Sequence, residues 1–325
     1  MKLVDSFGRK INYLRLSVTD RCNMRCSYCM PEEGVEKFAH QEILSYEELD
    51  RVARAAVAIG IEKIRVTGGE PLVRRGIVPF LKGLSSIPGL RQLVVTSNGL
   101  MLEEMALDLR KAGVQRLNIS LDSLDPARFG EITRTGDLKR VLAGIAAADR
   151  AGFPVKINMV VMRGVNDDEI DAIASLAVDR PYAVRFIEYM PSSREDRWQS
   201  LVVPGQEILE RLSARFRLQP VLRCELAGPA REYRMPGALG TLGIITPVTG
   251  HFCGACNRIR VTSTGEARSC LFSDDELDLK PFLGEGDARS LEDALRRVVL
   301  GKPGRHQLSA QSASHTPFNM SAIGG

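Results

Sequence analysis

Ser17-Val18-Thr19-Asp20-Arg21-Cys22-Asn23-Met24-Arg25-Cys26-Ser27-Tyr28-Cys29-Met30 is the stretch on which the reading of the fold turns. It holds Cys22, Cys26 and Cys29 in the pattern C-x3-C-x2-C, with Arg21 and Arg25 alongside. Positive charge beside a thiol favours the thiolate, the form that ligates metal. Several thiolates converging from one short loop suit an iron–sulfur cluster. A cubane cluster has four irons, so three cysteines leave one iron without a protein ligand. An open coordination position marks chemistry, because a structural metal site closes its ligand set. A zinc site or a disulfide knot is the plainer alternative.

The rest of the composition is compatible with a metal-dependent enzyme. At 325 residues the chain can bury a large core in one or two domains. Its net charge of +4 fits an anionic small substrate and by itself makes no case for nucleic acid. The seven cysteines fall into two tight groups, Cys22/Cys26/Cys29 and Cys253/Cys256/Cys270, with Cys224 left over. That grouping reads as metal binding in a reducing compartment. The N-terminus has no apolar core of signal-peptide length. No apolar run approaches the roughly 18 residues of a membrane span. The expectation is a cytoplasmic chain with no membrane or nucleic-acid partner.

Strand-like and helix-like patterns alternate through the first two thirds. Strands are expected at Tyr13–Thr19, Lys63–Thr67, Gln92–Ser97, Arg116–Leu121, Val155–Met162 and Ala183–Tyr189. Helices are expected at Ser45–Ile59, Ile77–Leu84, Leu102–Lys111, Leu138–Ala151 and Asp168–Ala177. Ser45 with Glu48 three residues on is a capping box. Six such units predict an α/β fold, an incomplete (β/α)6 version of the TIM barrel, with its site at the carboxyl ends of the strands. Residues two apart in a strand share a face. Arg15 and Ser17 therefore oppose Leu14 and Leu16, Arg65 and Thr67 oppose Ile64 and Val66, and Lys156 and Asn158 oppose Val155 and Ile157. With helices on the apolar side, the polar side lines the lumen. A charged lumen calls for an anionic, hydrogen-bonding ligand. The alternative is an open sheet with one solvated face, which parallel sheets seldom show.

Beyond Pro191 the pattern changes: a polar stretch, a short helix at Gln206–Ser213, then short strands with turns from Cys224 to Thr264. This suggests a boundary near 219/220, with a barrel over 1–219 and a C-terminal unit over 220–325. Cys253, Cys256 and Cys270 form C-x2-C-x13-C, again three cysteines with no fourth. Spacing alone leaves zinc, completed by His251 or Cys224, level with iron–sulfur. The ending Ser321-Ala322-Ile323-Gly324-Gly325 reads locally as a frayed terminus.

C-x3-C-x2-C with Tyr28 before the last cysteine resembles the radical S-adenosylmethionine (SAM) enzymes. Within them, the second cysteine group, Leu14–Asn23, Arg65-Val66-Thr67-Gly68-Gly69-Glu70-Pro71, Cys256–Arg260 and the final twin glycine resemble the GTP 3′,8-cyclases of molybdenum cofactor biosynthesis, along nearly the whole chain. The resemblance implies two 4Fe-4S clusters, one on Cys22, Cys26 and Cys29 and one on Cys253, Cys256 and Cys270. It implies SAM contacts from Tyr28, Gly69, Glu70, Ser120 and Met190. It implies GTP contacts from Arg15, Arg65, Thr96, Lys156, Arg258, Ile259 and Arg260, and catalytic roles for Arg258, Arg260, Gly324 and Gly325. It further implies a flavodoxin- or ferredoxin-like electron donor, cyclic pyranopterin monophosphate synthase as the next enzyme, and a homodimer. Cys224 has no place in that pattern, and the polar segment Ser309–Pro317 is expected to be mobile. A radical SAM peptide-modifying enzyme and a zinc-stabilised nucleic-acid-binding protein are the rival readings. The second expects aromatic stacking residues, and aromatics make up only 6% of this chain.

Overall fold

Alternation of apolar and polar residues along the strands produces a sheet with two unlike faces. The computed structural model describes residues 3–191, 198–222, 224–273, 275–284, 288–306, 308 and 320–324. Six strands come first: β1 Tyr13–Ser17, β2 Lys63–Thr67, β3 Gln92–Ser97, β4 Arg116–Ser120, β5 Val155–Val161 and β6 Ala183–Glu188. The helices among them are α1 Tyr46–Ala58, α2 Ile77–Ser85, α3 Leu102–Lys111, α4 Pro126–Thr133, α5 Leu138–Arg150 and α6 Ile170–Ser175. All six expected strands and all six expected helices are present, the last at Gly205–Arg215. The capping box of α1 forms in both directions: Glu48 N donates to Ser45 Oγ at 3.2 Å and Ser45 N to Glu48 Oε2 at 2.7 Å.

Besides two four-residue helices past β6, two longer helices lie outside the sequence reading. α4 begins with Asp125 accepting from Arg128 N at 2.7 Å and with Pro126 in the first turn, a start signal made of ordinary N-terminal residues. The other is α9, Ala288–Leu300, which buries Leu291, Ala294, Leu295, Val298 and Val299, a 3.6-residue stripe, and packs on α1.

Past β6 come α7 Trp198–Leu201, α8 Gly205–Arg215, β7 Gln219–Pro220, β8 Arg231–Arg234, β9 Thr241–Ile245, β10 Arg258–Val261, β11 Glu266–Arg268, β12 Glu276–Asp278 and, after α9, α10 Met320–Ile323. The sheet order is β12-β11-β10-β1-β2-β3-β4-β5-β6-β9-β8-β7. β10 pairs parallel with β1, and β9 pairs parallel with β6. The C-terminal third therefore adds strands to both edges of the six-stranded sheet. Its strands satisfy edge backbone groups that would otherwise be open to water or to another chain.

The apolar side of the strands is dry. Leu14, Leu16, Ile64, Val66, Leu117, Ile119 and Ile157 are all fully buried in the main core. Register sets the other side: Arg15 stands level with Arg65 on one flank and with Arg260 on the other. Among the described residues no helix is long and apolar enough to cross a membrane.

One buried carboxylate fastens the two parts of the chain. Glu188, at the end of β6, accepts from Gly205 N at 2.7 Å, Val248 N at 2.9 Å and Thr249 N at 3.0 Å, and from the Thr249 hydroxyl. A Cβ at Gly205 would sit 2.1 Å from Thr246 Cγ2, so α8 starts as close to this turn as glycine permits. Removing the carboxylate leaves buried N–H groups unpaired, each costing about 1–3 kcal/mol. Glu188→Ala is expected to lower stability by about 3 kcal/mol in urea unfolding; a loss under about 1 kcal/mol would show that the clamp is dispensable.

Candidate active site

The cysteine loop leaves β1 and is tied down by two neighbouring segments. Arg25 N donates to Thr133 O at 3.0 Å and Ser27 N to Ile132 O at 2.9 Å, which anchors the loop to the end of α4. Arg134 follows, with φ of 61°, and its Nη1 donates to Arg25 O at 3.1 Å and Met30 O at 3.0 Å. Holding a non-glycine residue at positive φ costs energy. The second tie is Gly68-Gly69-Glu70. Gly69 N donates to Thr19 O at 2.7 Å and Glu70 N to Arg21 O at 2.8 Å. A Cβ at Gly69 would lie 2.3 Å from Arg21 O. These glycines therefore permit close approach to the chain's own cysteine loop as well as line the cavity.

Glu70 is buried and already engaged. Its carboxylate accepts from Leu72 N at 3.0 Å and from Asn98 N at 2.6 Å. Burial pushes its carboxyl up to about 7 against these hydrogen bonds. Asn98 in turn donates to Asn23 Oδ1 at 2.7 Å and to Cys22 Sγ at 3.8 Å. Tyr28 donates to Asp122 Oδ2 at 2.8 Å, and Val160 N to Asp122 Oδ1 at 2.8 Å. Burial lifts Asp122 to about 6.

All seven cysteines are free thiols, which removes the disulfide alternative. Burial raises the thiols of Cys22 and Cys26, and takes Cys29 up to about 12. A metal displaces such protons when it binds. The second group has the opposite surroundings. Burial would raise Cys256, but Arg258 and Lys302 outweigh it and bring the thiol down to about 6. Arg258 Nη2 donates to Cys256 Sγ at 3.6 Å, and Lys302 Nζ donates to the carbonyls of Arg258 and Ser269 at 2.9 and 2.5 Å.

Both cysteine groups line one cavity of about 280 Å³, together with Arg15, Arg65, Thr96, Ser120, Met190, Arg258 and Arg260. Arg15 Nε, Thr96 Oγ1 and the Tyr13 hydroxyl are buried there without a partner. Orphaned donors of this kind, between two thiol groups with metal-ligand spacing, fit an iron–sulfur cluster at each end and a polar ligand between them. Arg260 Nη1 donates to Gly324 O at 3.1 Å. Gly324 has φ of 84°, and a Cβ there would lie 2.6 Å from Thr67 Cγ2, so the chain end enters the lumen. Gly325 and Ser309–Pro317 lie outside the described residues. Ile259 points the other way, into the apolar core. Cys224 is exposed, and Arg268 is paired with Glu276.

Lys156 reaches Glu232 at 3.7 Å, and Arg185 reaches the same carboxylate at 2.5 Å. Arg185 and Lys63 are missing from the sequence reading. Lys63 carried a signal, since it has the strand parity of Arg65 and Thr67. Burial, with Arg65 and Lys156 next, brings Lys63 down to about 6. Burial, with Arg185 next, brings Lys156 down to about 7. Burial and then Arg258 bring Arg260 down to about 10.

A parallel sheet wrapped around a polar lumen, with a C-x3-C-x2-C loop at the carboxyl end of its first strand, defines a radical SAM protein. Residues 16–177 match the Radical SAM superfamily model, and residues 182–308 match Molybdenum Cofactor Synthesis C. The chain is 68% identical over 326 residues to a GTP 3′,8-cyclase of Geobacter sulfurreducens, with full coverage of both chains. It is 45% identical to one from Thermodesulfovibrio yellowstonii, covering 99% of each. It belongs to the GTP 3′,8-cyclase family. In fold it is similar to Streptococcus suis SuiB bound to precursor peptide SuiA, with TM-score 0.60 at 14% identity, covering 89% of this chain and 68% of that one. Native anSMEcpe with bound AdoMet gives TM-score 0.55 at 12% identity, covering 88% and 83%.

The depressed lysines have a measurable consequence. Just above neutral pH, Lys63 and Lys156 are largely uncharged in the free chain. A polyphosphate seated against them is expected to raise both pKa values, so that its binding takes up protons and affinity falls as pH rises above about 7. Calorimetry of GTP or inorganic triphosphate in buffers of different ionisation enthalpy checks this; heats independent of buffer would contradict it.

Proposed function

We propose that this chain converts GTP to (8S)-3′,8-cyclo-7,8-dihydroguanosine 5′-triphosphate, the first step of molybdenum cofactor biosynthesis, joining C3′ of the ribose to C8 of the guanine. Membership of the family supports the reaction. The single observation that carries the residue assignments is the shared cavity, with one cysteine group at each end and unpaired buried arginine between them. Cys22, Cys26 and Cys29 hold one 4Fe-4S cluster, and Cys253, Cys256 and Cys270 the other. The cluster at Cys22, Cys26 and Cys29, when reduced and with SAM bound, would supply a 5′-deoxyadenosyl radical.

The chain's own residues supply position and charge. Arg15, Arg65, Lys156, Arg258 and Arg260 hold the triphosphate and the ring, a charge match suited to guanidinium forks. Thr96 donates its free hydroxyl to the nucleotide, and Ile259 contributes through its place in β10. Tyr28, Gly69, Glu70, Ser120 and Met190 shape the SAM side. The two oxygens of Glu70 already accept backbone N–H groups, so its share is to hold the cysteine loop and accept one further donor. Gly324, with its carbonyl on Arg260, brings the tail to the substrate, and Gly325 completes it. The enclosed lumen excludes water from the reactive centre. We assign residues 1–219 to the radical SAM unit and 220–325 to the unit carrying the second cluster. The chain works in the cytoplasm, as its free thiols suggest, takes electrons from a flavodoxin- or ferredoxin-like donor, passes product to cyclic pyranopterin monophosphate synthase, and pairs as a homodimer.

The decisive experiment uses anaerobically reconstituted protein with reductant and SAM, following 5′-deoxyadenosine with and without GTP. Formation that depends on GTP, with a new guanosine-derived product, is expected. Formation indifferent to GTP would leave the substrate open, and none at all, with zinc as the bound metal, would overturn both cluster assignments. Cys26→Ser should abolish SAM cleavage. Arg260→Ala should weaken GTP binding while uncoupled SAM cleavage survives; normal product from either variant contradicts its role.

A further inference from the structure

Tyr13 opens β1 inside the lumen, and no cluster, SAM or GTP contact is assigned to it. Its side chain is 1% exposed, and its hydroxyl is buried without a partner among the described residues. It shares the strand parity of Arg15 and lines the same cavity. Register places it level with Lys63 of β2 on one flank and with Arg258 of β10 on the other.

The ring is held from several sides. Tyr13 N donates to Asn257 O at 3.1 Å, which pins the start of the strand. Lys63 Nζ lies 4.5 Å from the ring centroid and Arg65 Cζ 5.4 Å, both within cation–π range. Lys63 Nζ is itself fixed by donating to Leu226 O at 3.0 Å. A tyrosine has two χ angles, so one clamped in this way has little freedom to carry its hydroxyl elsewhere. A buried hydroxyl left unpaired destabilises the free fold.

The surroundings select the missing partner. Lys63 and Arg65 flank the ring, and Tyr13 is near enough to Arg15 and Arg258 to bear on their charge. Lysine and arginine side chains carry N–H donors and no acceptor. A niche lined by donors calls for a ligand that only accepts. Guanine mixes acceptors with an amino donor along its edges, whereas the oxygens of an ionised phosphate only accept. The carboxylate of SAM is out of reach. Tyr13 and Ser17 stand at opposite ends of β1, roughly 13 Å apart at about 3.3 Å per residue, and the first cysteine group lies beyond Ser17.

We propose that the Tyr13 hydroxyl donates to a phosphate oxygen of the bound triphosphate, with Lys63 and Arg65 placed around the same group by the ring between them. That the triphosphate is GTP rests on the cyclase reading; that a polyphosphate fills the niche rests on the donors around it. In the free chain the negative face of the ring partly offsets the charge of Lys63, and the phosphate takes over that part on binding.

Tyr13→Phe removes one oxygen and keeps the ring. Two measurements on anaerobically reconstituted full-length protein, at fixed pH and salt, test the proposal: calorimetric titration with GTP and with inorganic triphosphate, and urea unfolding without ligand. Affinity for both ligands should fall about tenfold, the worth of a hydrogen bond to a charged acceptor. The urea midpoint of the ligand-free variant should hold or rise, because what it loses is an unpaired buried hydroxyl. A tyrosine with a purely structural role gives the reverse pair, a lower midpoint and unchanged affinity. Unchanged affinity for inorganic triphosphate overturns the proposal, and so does a loss confined to GTP, which puts the hydroxyl on the base or the sugar. A lower midpoint reveals a partner within the fold and overturns it likewise. The inorganic triphosphate arm needs no turnover. Parent protein that binds inorganic triphosphate yet leaves GTP unconverted sinks the cyclase reading, while the comparison with Tyr13→Phe still decides the role of the hydroxyl.

Discussion

Buried positive charge without matching negative charge is the constraint around which this fold is built. Arg15 stands in register between Arg65 and Arg260, with Lys63, Lys156 and Arg185 close by. Among the described ion pairs, Glu232 alone answers Lys156 and Arg185. Burying a charge is costly unless it is paired. The cost is visible in the lowered proton affinity of Lys63 and Lys156, and it has to be met by stability stored elsewhere. That store is the opposite face of the same strands, where Leu14, Leu16, Ile64 and Val66 are sealed beneath the helices. A sheet dry on one side can carry an electrostatically frustrated lumen on the other, and an anionic ligand then relieves the frustration.

The two cysteine groups meet this lumen under different conditions. Around Cys22, Cys26 and Cys29 burial is the leading influence, with the carboxyl groups of Glu70 beside Cys22 and Asp122 beside Cys26 adding to it, so the thiols hold their protons more tightly. Around Cys256 the nearest charges are Arg258 and Lys302, and the thiol ionises readily. An electron-rich centre bearing a neutral–zwitterionic cosubstrate belongs with the first environment, and a centre that shares its space with a polyanion belongs with the second. On the proposed assignment the same cations, Arg258 and Arg260 of β10, serve thiolate and phosphate alike.

Much of this was legible locally. The strand parity of Arg15, Arg65 and Lys156 against their apolar neighbours identifies the lumen face, because side-chain direction in a strand depends only on position along it. The capping box at Ser45 and Glu48 needs just four residues to read. Lys63 was as readable as Arg65 by parity, but a lone cation at a strand start resembles a surface residue until its neighbours are known; Arg185 shares its face of β6 with Ala183 and Ile187, so parity gave it no polar company. Glu188 gives no local sign of its clamp, since its partners are Gly205, Val248 and Thr249, brought near by the turn of the sheet. The reading of Gly68 and Gly69 also gains a second meaning: what they approach includes the backbone of Thr19 and Arg21.

Periodicity and spacing in the sequence by themselves determined the strand–helix alternation, the polar inner face and the two sets of three cysteines, since each is written within about twenty contiguous residues. Tertiary structure alone decided that the sheet closes its open edges with β9 and β10, that Gly324 reaches Arg260, and that His306 stands beside His251 and Cys253. These are contacts between segments far apart in the chain. Such contacts leave no local pattern, because they follow from how an extended sheet curls and which loops that curvature brings together.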